Sequence, residues 1–409
     1  MEIRIAYAND SNLNGTFTTP VWFGLHDDGF DIFNVGEVAG VGLERIAEDG
    51  TFGAIAAELA AADPEGQGGA AFGPRGPVAP RETASTVQKV NDASATPLLS
   101  FAAMILPSND AFIGSDDGLV IFEDGVFQGP QDIEITGTNI YDAGTEVNSE
   151  TEAAFLNQTG PDQGLDQRPA GSVISQHPGF IGSQENPASE FPGQILGGTN
   201  AFGEFIDPEA ADFTIDRDAV IGTFHVNIAR TTDGDDTSDV IVGNRADDII
   251  NGNGGVDAIF GGNGWDIIDG GDGNDIVRGN SGRDDIYGGA DDDWLSGDRG
   301  NDTVRGGSGD DTVRGGSGDD VVSGGAGNDV LSGGADDDLF VIVEASDLES
   351  IRDFGNGDDV VDISAFDTSF GDLDLVDGSR GAELTFEDGT VVEFRGVSAA
   401  QLSEDDFFF

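Results

Sequence analysis

From Gly234 to Val341 an apolar side chain returns at every ninth position, with no insertion or deletion. The row is Ile241, Ile250, Ile259, Ile268, Val277, Ile286, Leu295, Val304, Val313, Val322, Leu331 and Phe340, mostly branched residues that suit a buried strand. Counting Gly234 as position one, position eight is apolar and position one is glycine in all twelve repeats. Position four is glycine in eight of them, the others being Thr237, Ala246, Asp291 and Asp336. A unit this short cannot bury its apolar side chain alone, so neighbouring units must stack. Gly, Asn and Asp tolerate the positive φ of tight turns. The pattern therefore predicts a six-residue turn and a three-residue strand per repeat, successive strands on alternate walls, and six coils from twelve repeats.

Outside the array the pattern changes. Before about residue 232, alternating stretches at Glu2 to Tyr7, Thr83 to Val90, Leu98 to Leu106 and Ala219 to Arg230 predict strands. Val41 to Glu48 and Phe52 to Ala62 predict short helices, and Ala70 to Pro80 an exposed loop. After Val341 the period is lost, while Ile351 to Phe366 and Ala382 to Val397 predict further strands, the latter a hairpin across Glu387-Asp388-Gly389-Thr390. The expected fold is all-β with minor helices: a β-sandwich over 1–232, a parallel β-roll over 233–341, and a β-rich cap over 342–409.

The polar half of the repeat supplies the chemistry. Position six is aspartate throughout: Asp239, Asp248, Asp257, Asp266, Asp275, Asp284, Asp293, Asp302, Asp311, Asp320, Asp329 and Asp338. One carboxylate beside several backbone carbonyls is a donor set for Ca²⁺, which takes about six to eight oxygen ligands. The block holds 25 Asp, no Glu and six Arg, a net of −19, and ten ions bridging same-wall neighbours would bring +20. The departures at position four weaken the expectation of an ion at those turns. The whole chain sets 79 acidic residues against 17 basic ones, a net of −62, and Lys89 is its one lysine. Nucleic acid and anionic membranes are thereby disfavoured as partners, and cations favoured. There is no cysteine for a disulfide or a thiolate zinc site. No apolar run reaches the roughly 20 residues that span a bilayer, and Met1 to Tyr7 lacks the pattern of a removable signal peptide. Neither His-Glu-x-x-His nor Gly-x-Ser-x-Gly occurs, so the expectation is a protein that is not an enzyme, with a hydrolase of unrecognised type as a lesser alternative.

Units such as Gly261-Gly262-Asn263-Gly264-Trp265-Asp266-Ile267-Ile268-Asp269 resemble the repeats-in-toxin nonapeptide. The string Ile351-Arg352-Asp353-Phe354-Gly355-Asn356-Gly357-Asp358-Asp359-Val360-Val361-Asp362 is similar to the capping segment that follows such repeats in secreted bacterial proteases and lipases. Asp406-Phe407-Phe408-Phe409 resembles an uncleaved type I secretion signal. The resemblance implies an extracellular protein, passed through a type I apparatus and folded by external calcium. In the N-terminal part, Pro107-Ser108-Asn109-Asp110-Ala111-Phe112-Ile113-Gly114 and Tyr141-Asp142-Ala143-Gly144-Thr145-Glu146 resemble the signature of the spondin N-terminal domain. That family's calcium-binding, adhesive β-sandwich would make Asp110, Asp142 and Glu146 ligands of one further ion. His26 and His177 lie in other resembling motifs; both read first as structural histidines and second as transition-metal ligands, and His225 reads as core or edge packing. The function implied is adhesion to a surface or matrix ligand, with calcium-dependent self-association into a layer or filament as the alternative.

Overall fold

The computed structural model describes residues 1–11, 17–35, 37–73, 78–106, 111–115, 117–136, 139–142, 174–176, 220–343, 347–355, 357–366 and 368–409. Strands account for about half of the described residues and helices for a tenth. Two units result, Met1–Ile228 and Ala229–Phe409. Among the described residues no helix is long and apolar enough to cross a membrane.

In the first unit, Glu2–Ala8 lies antiparallel between Thr83–Lys89 and the first part of the strand Val220–Asp233, and Gln131–Thr136 extends that sheet. A second sheet orders Ser175–Gln176, Ile140–Asp142, Ala111–Gly114, Leu98–Leu106, Val21–His26 and Gln67–Ala71. Ile3, Ile5 and Tyr7 from the first sheet meet Phe23, Leu25 and Phe101 from the second in one core, where Phe101 stacks on Phe224 at 4.0 Å. This is face-to-face sheet packing, with alternate residues turned inward. Val21–His26 is buried at every position because its other face is covered as well. There Trp22, Ala102 and Phe112 pack on Leu43, Ile46, Ile55 and Leu59 from helices Val41–Asp49 and Gly53–Ala62. Val41–Asp49 ends on Gly50 at φ 61°, a left-handed stop that suits glycine. The segment read as an exposed loop, Ala70 to Pro80, is different in its described ends. Ala71 ends a strand, Val78 bridges Thr18, and Ala71, Val78 and Ala79 are all buried because they close one edge of the core.

The second unit is a solenoid of about seven turns over residues 229–362. One wall stacks Val240–Val242, Ala258–Asn263, Ile276–Ser281, Trp294–Arg299, Thr312–Ser317, Asn328–Ala335 and Leu348–Ile351 in parallel. The other stacks Ala229–Asp233, Asp247–Asn251, Ile267–Asp272, Asp285–Ala290, Thr303–Ser308, Val321–Ala326, Leu339–Val341 and Val360–Asp362. Every position-eight side chain points inward, and Ile259 to Phe340 are at most 1% exposed. The strands are longer than the sequence suggests: six residues each in the middle coils, running through positions one to three of the next repeat. Glycines there look like turn but keep the ladder, as Gly262 pairs with Asn280 and Gly271 with Gly289. The true turn is shorter.

Beyond Val341 the walls continue with a stretched coil. Leu331 pairs with Ile351, 20 residues on, and Phe340 with Val361, 21 on, against 18 within the array. The span Ile351 to Phe366 is thus the end of one strand, the strand Val360–Asp362 and a short 3-10 turn at Ser364–Phe366. Gly381–Thr385 and Val391–Arg395 form the expected hairpin, laid against Leu348–Ile351. Phe407–Phe408 pairs with Val361–Asp362, and Phe407 packs on Phe394 and Phe370, closing the apolar end.

Candidate metal centre

Position six sits at the start of each strand, two residues before the buried apolar side chain, and so turns its carboxylate into the gap between coils. The backbone N–H of each aspartate from Asp239 to Asp320 donates to Oδ1 of the aspartate one coil later. Ten such bonds run from Asp239–Asp257 to Asp320–Asp338, all between 2.7 and 3.0 Å. Their carbonyls are used too: Ile276 N–H donates to Asp257 O and Trp294 N–H to Asp275 O, both at 2.9 Å. Each wall thus carries a continuous ladder of carboxylates, buried to within a few per cent from Asp248 onward, with Asp239 half-buried at its open end.

The second carboxylate oxygen is left over. Oδ2 of Asp257, Asp275, Asp293, Asp302, Asp311 and Asp320 is buried and accepts no hydrogen bond among the described residues. Such an atom costs about 1–3 kcal/mol or more unless something else meets it. What it faces is the position-one glycine. A Cβ placed on Gly270 would stand 2.6 Å from Asp275 Oδ2 and 2.5 Å from the Gly288 carbonyl oxygen of the next coil. The same gap receives carbonyls from the turns: a Cβ on Gly282 would strike the Gly264 oxygen, and one on Gly289 the Gly271 oxygen. Positions two and four take positive φ, for example 120° at Gly262 and 132° at Gly264. That conformation aims carbonyl oxygens between coils and leaves no room for side chains.

Among the described residues no three His, Asp or Glu side chains converge on one point. The donor set is instead one unsatisfied carboxylate oxygen with several carbonyls, which fits a hard cation with many oxygen ligands. The four departures at position four divide in two. Asp291 and Asp336 keep the turn at φ 73° and 78°, whereas Thr237 and Ala246 do not take positive φ. The cradle is therefore built from the third repeat onward.

Burial without a counter-ion pushes the ladder carboxyls up: Asp275 and Asp311 to about 6, Asp293 and Asp302 to about 7, and Asp320 to about 9. Loss of water contact is the main cause, the N–H bond from the preceding aspartate opposes it, and for Asp320 the flanking Asp302 and Asp338 add to it. Asp293→Asn keeps an oxygen for the Asp275 N–H but removes one charge. Calcium affinity should fall about tenfold while the calcium-free roll becomes more stable, both read from calcium titrations followed by circular dichroism. An unchanged affinity would mean that Asp293 is no ligand.

Two acids absent from the repeat count continue the ladders. Asp338 N–H donates to Asp359 Oδ1 at 3.1 Å, and Asp359 Oδ2 accepts from Gly355 N–H at 2.7 Å. On the other wall Glu349, fully buried, stands in register with Asp329. Lengthening of the coil hid them, yet Glu349-Ser350-Ile351 and Asp359-Val360-Val361 keep the acid two places before the inward apolar residue.

In the first unit the three acids proposed for a separate ion are only partly placed. Asp110 and Glu146 lie outside the described residues, as does His177. Asp142 is on strand Ile140–Asp142, in register with Ala111 on one side and Ser175 on the other. His26 is buried in the core: Nδ1 meets the Asp27 carbonyl at 2.6 Å, Nε2 meets Ser100 Oγ at 2.9 Å, and the ring is edge-on to Phe30. With both nitrogens engaged it is a structural histidine. His225 is likewise buried, with Nδ1 2.5 Å from Asp132 Oδ1 across paired strands.

Comparison with known proteins agrees with this geometry. The family model for the RTX calcium-binding nonapeptide repeat matches three times, over residues 233–268, 269–304 and 305–340. The Spondin_N model matches residues 15–171. No curated protein matches the chain. Among solved structures, extracellular lipase LipA from Serratia marcescens is similar at 19% identity over 44% of this chain, with a TM-score of 0.14. The chain spans about 40% of the length of that lipase. This protein joins a Spondin_N region to a β-roll of RTX calcium-binding nonapeptide repeats.

Proposed function

We propose that this is an extracellular, non-enzymatic adhesive protein whose roll folds around calcium after type I export. The observation that carries the calcium reading is the row of buried Oδ2 atoms at Asp257, Asp275, Asp293, Asp302, Asp311 and Asp320, which face carbonyls and accept no hydrogen bond among the described residues. Asp257 to Asp338 would hold the ions, with glycine carbonyls of adjacent coils completing each shell. Bound calcium supplies positive charge to a stack of carboxylates that otherwise repel one another. In a low-calcium cytosol that repulsion keeps the segment unfolded, and external calcium converts binding energy into folding energy.

The Spondin_N region supports the adhesive part of the reading, with Asp110, Asp142 and Glu146 as ligands of one additional ion. Asp359 and Glu349 extend the roll's acidic ladder into the cap. Equilibrium dialysis of the full chain, with circular dichroism alongside, tests the proposal. Uptake of about ten ions, one for each aspartate from Asp257 to Asp338, should coincide with a cooperative gain of β structure in the ~10⁻⁴ to 10⁻³ M range. Uptake of one or two ions with no change in structure would sink it. Light scattering in the same samples separates adhesion from self-assembly: a monomer fits the adhesive reading, and large ordered particles would replace it with a surface layer.

A further inference from the structure

The outward faces of the two walls differ in charge. On the first wall, Arg278 and Arg314 flank Ser296 in register, and Arg299 lies between Ser281 and Ser317. All three arginines are exposed. On the second wall the corresponding outward row runs Asp269, Tyr287, Arg305, and Arg305 is tied to Asp285 at 2.9 Å. The three first-wall arginines line one open groove of about 480 Å³, together with Asn280, Ser281, Asp298 and Ser317.

In a block with 25 aspartates, arginines should find carboxylates readily. Among the described residues Arg299 and Arg314 do not. Arg278 lies over the Trp294 ring at 5.0 Å, which holds its guanidinium in place, and its Nη1 is 3.9 Å from Asp298 Oδ2. Asp298 is itself held by the Ser296 hydroxyl at 2.7 Å. The groove thus presents separated guanidinium forks with hydroxyl, amide and carboxylate groups between them.

We propose that this groove binds an acidic polysaccharide. Planar guanidinium forks match carboxylate or sulfate oxygens in pairs. Arg278 and Arg314 are two strand spacings apart, roughly 10 Å, so they suit a chain whose anionic groups are sparse. Ser281, Ser317, Asn280 and Asp298 then exchange hydrogen bonds with the hydroxyls between those groups. Nucleic acid is a poor fit, because duplex DNA carries a charge about every 1.7 Å and the protein's net charge of −62 repels so dense a polyanion. Uronate carboxylates and sulfate esters share the chemistry that the groove recognises. The proposal rests on the calcium-folded roll and is independent of what the first unit contacts.

Calorimetry on the full chain in millimolar calcium tests it, with a hexameric uronate oligosaccharide, a sulfated hexamer, a neutral hexamer and single-stranded DNA as probes. The variant carries Arg278→Ser, Arg299→Ser and Arg314→Ser. Serine already occupies the same outward rows at Ser281, Ser296 and Ser317, so stacking is preserved. Calcium-dependent circular dichroism, recorded before any sugar is added, establishes that both proteins are folded. At least one acidic hexamer should bind the native chain, weaken with added salt, and bind the variant about tenfold less tightly; the tighter of the two names the anion. The neutral hexamer should not bind. Equal binding by native and variant chains, no binding of either acidic hexamer to the folded chain, or DNA binding as tightly as sugar would each overturn the proposal.

Discussion

Chelation of calcium near neutral pH should unfold the roll, and lowering the pH to about 4 with calcium still absent should restore part of its β structure. The reason is the direction in which the ladder carboxyls move. In the folded roll Asp275, Asp293, Asp302, Asp311 and Asp320 titrate between about 6 and about 9, against 3.8 for the ordinary side chain. Between those limits the folded state holds protons that the unfolded state has released, so stability of the calcium-free roll falls as pH rises. It is greatest below about pH 4 and has gone once the folded carboxyls ionise. Calcium reverses the slope, since its ligands must be ionised, and its affinity should drop as pH falls through the same window. Circular dichroism across pH, with and without chelator, checks both slopes. A calcium-free roll that gains structure toward high pH would refute the account of the ladder.

Gly270→Ala should abolish calcium-dependent folding of the coils around it, at a cost of about 3 kcal/mol in thermal or denaturant unfolding. The new Cβ would sit 2.6 Å from Asp275 Oδ2 and 2.5 Å from the Gly288 oxygen, neither of which can retreat without parting two coils. It would also stand where those two oxygens converge. Gly371→Ala is the matched control, because no atom lies within 4 Å of its added methyl. That change should stay within about 0.5 kcal/mol. If both variants behave alike, position one is glycine for some reason other than space.

The roll could be read from the sequence because its repeat admits one arrangement. A lone apolar residue in nine has to meet its counterparts one coil away, and a fixed aspartate two places earlier has to enter the gap between them. What the pattern hid follows from the same chemistry. Gly271 and Gly289 have no side chain to declare a strand, yet their backbones keep the parallel ladder, so strands came out longer than expected. Glu349 and Asp359 escaped because two longer coils break the count of eighteen while keeping the walls aligned. In the first unit the sandwich was legible from alternation at Ile3, Ile5 and Tyr7. Its helical layer was legible as helices but not as a lid on Trp22 and Phe112, since a strand buried on both faces carries no alternation to reveal a second neighbour. Asp142 could be placed by register alone, and its partners Asp110 and Glu146 lie outside the described residues.

The aspartate ladder runs one way. Each coil gives its N–H to the coil that follows, and the last repeat on the second wall gives to Asp359. Each coil is therefore engaged on both sides: its aspartate N–H is met by the coil that follows, and its Oδ1 by the N–H of the coil before. The two ends of the array are therefore unlike: a coil lost from the N-terminal side bares a carboxylate oxygen, which water or a cation can meet, whereas loss of the cap strips the Asp338 N–H of its acceptor.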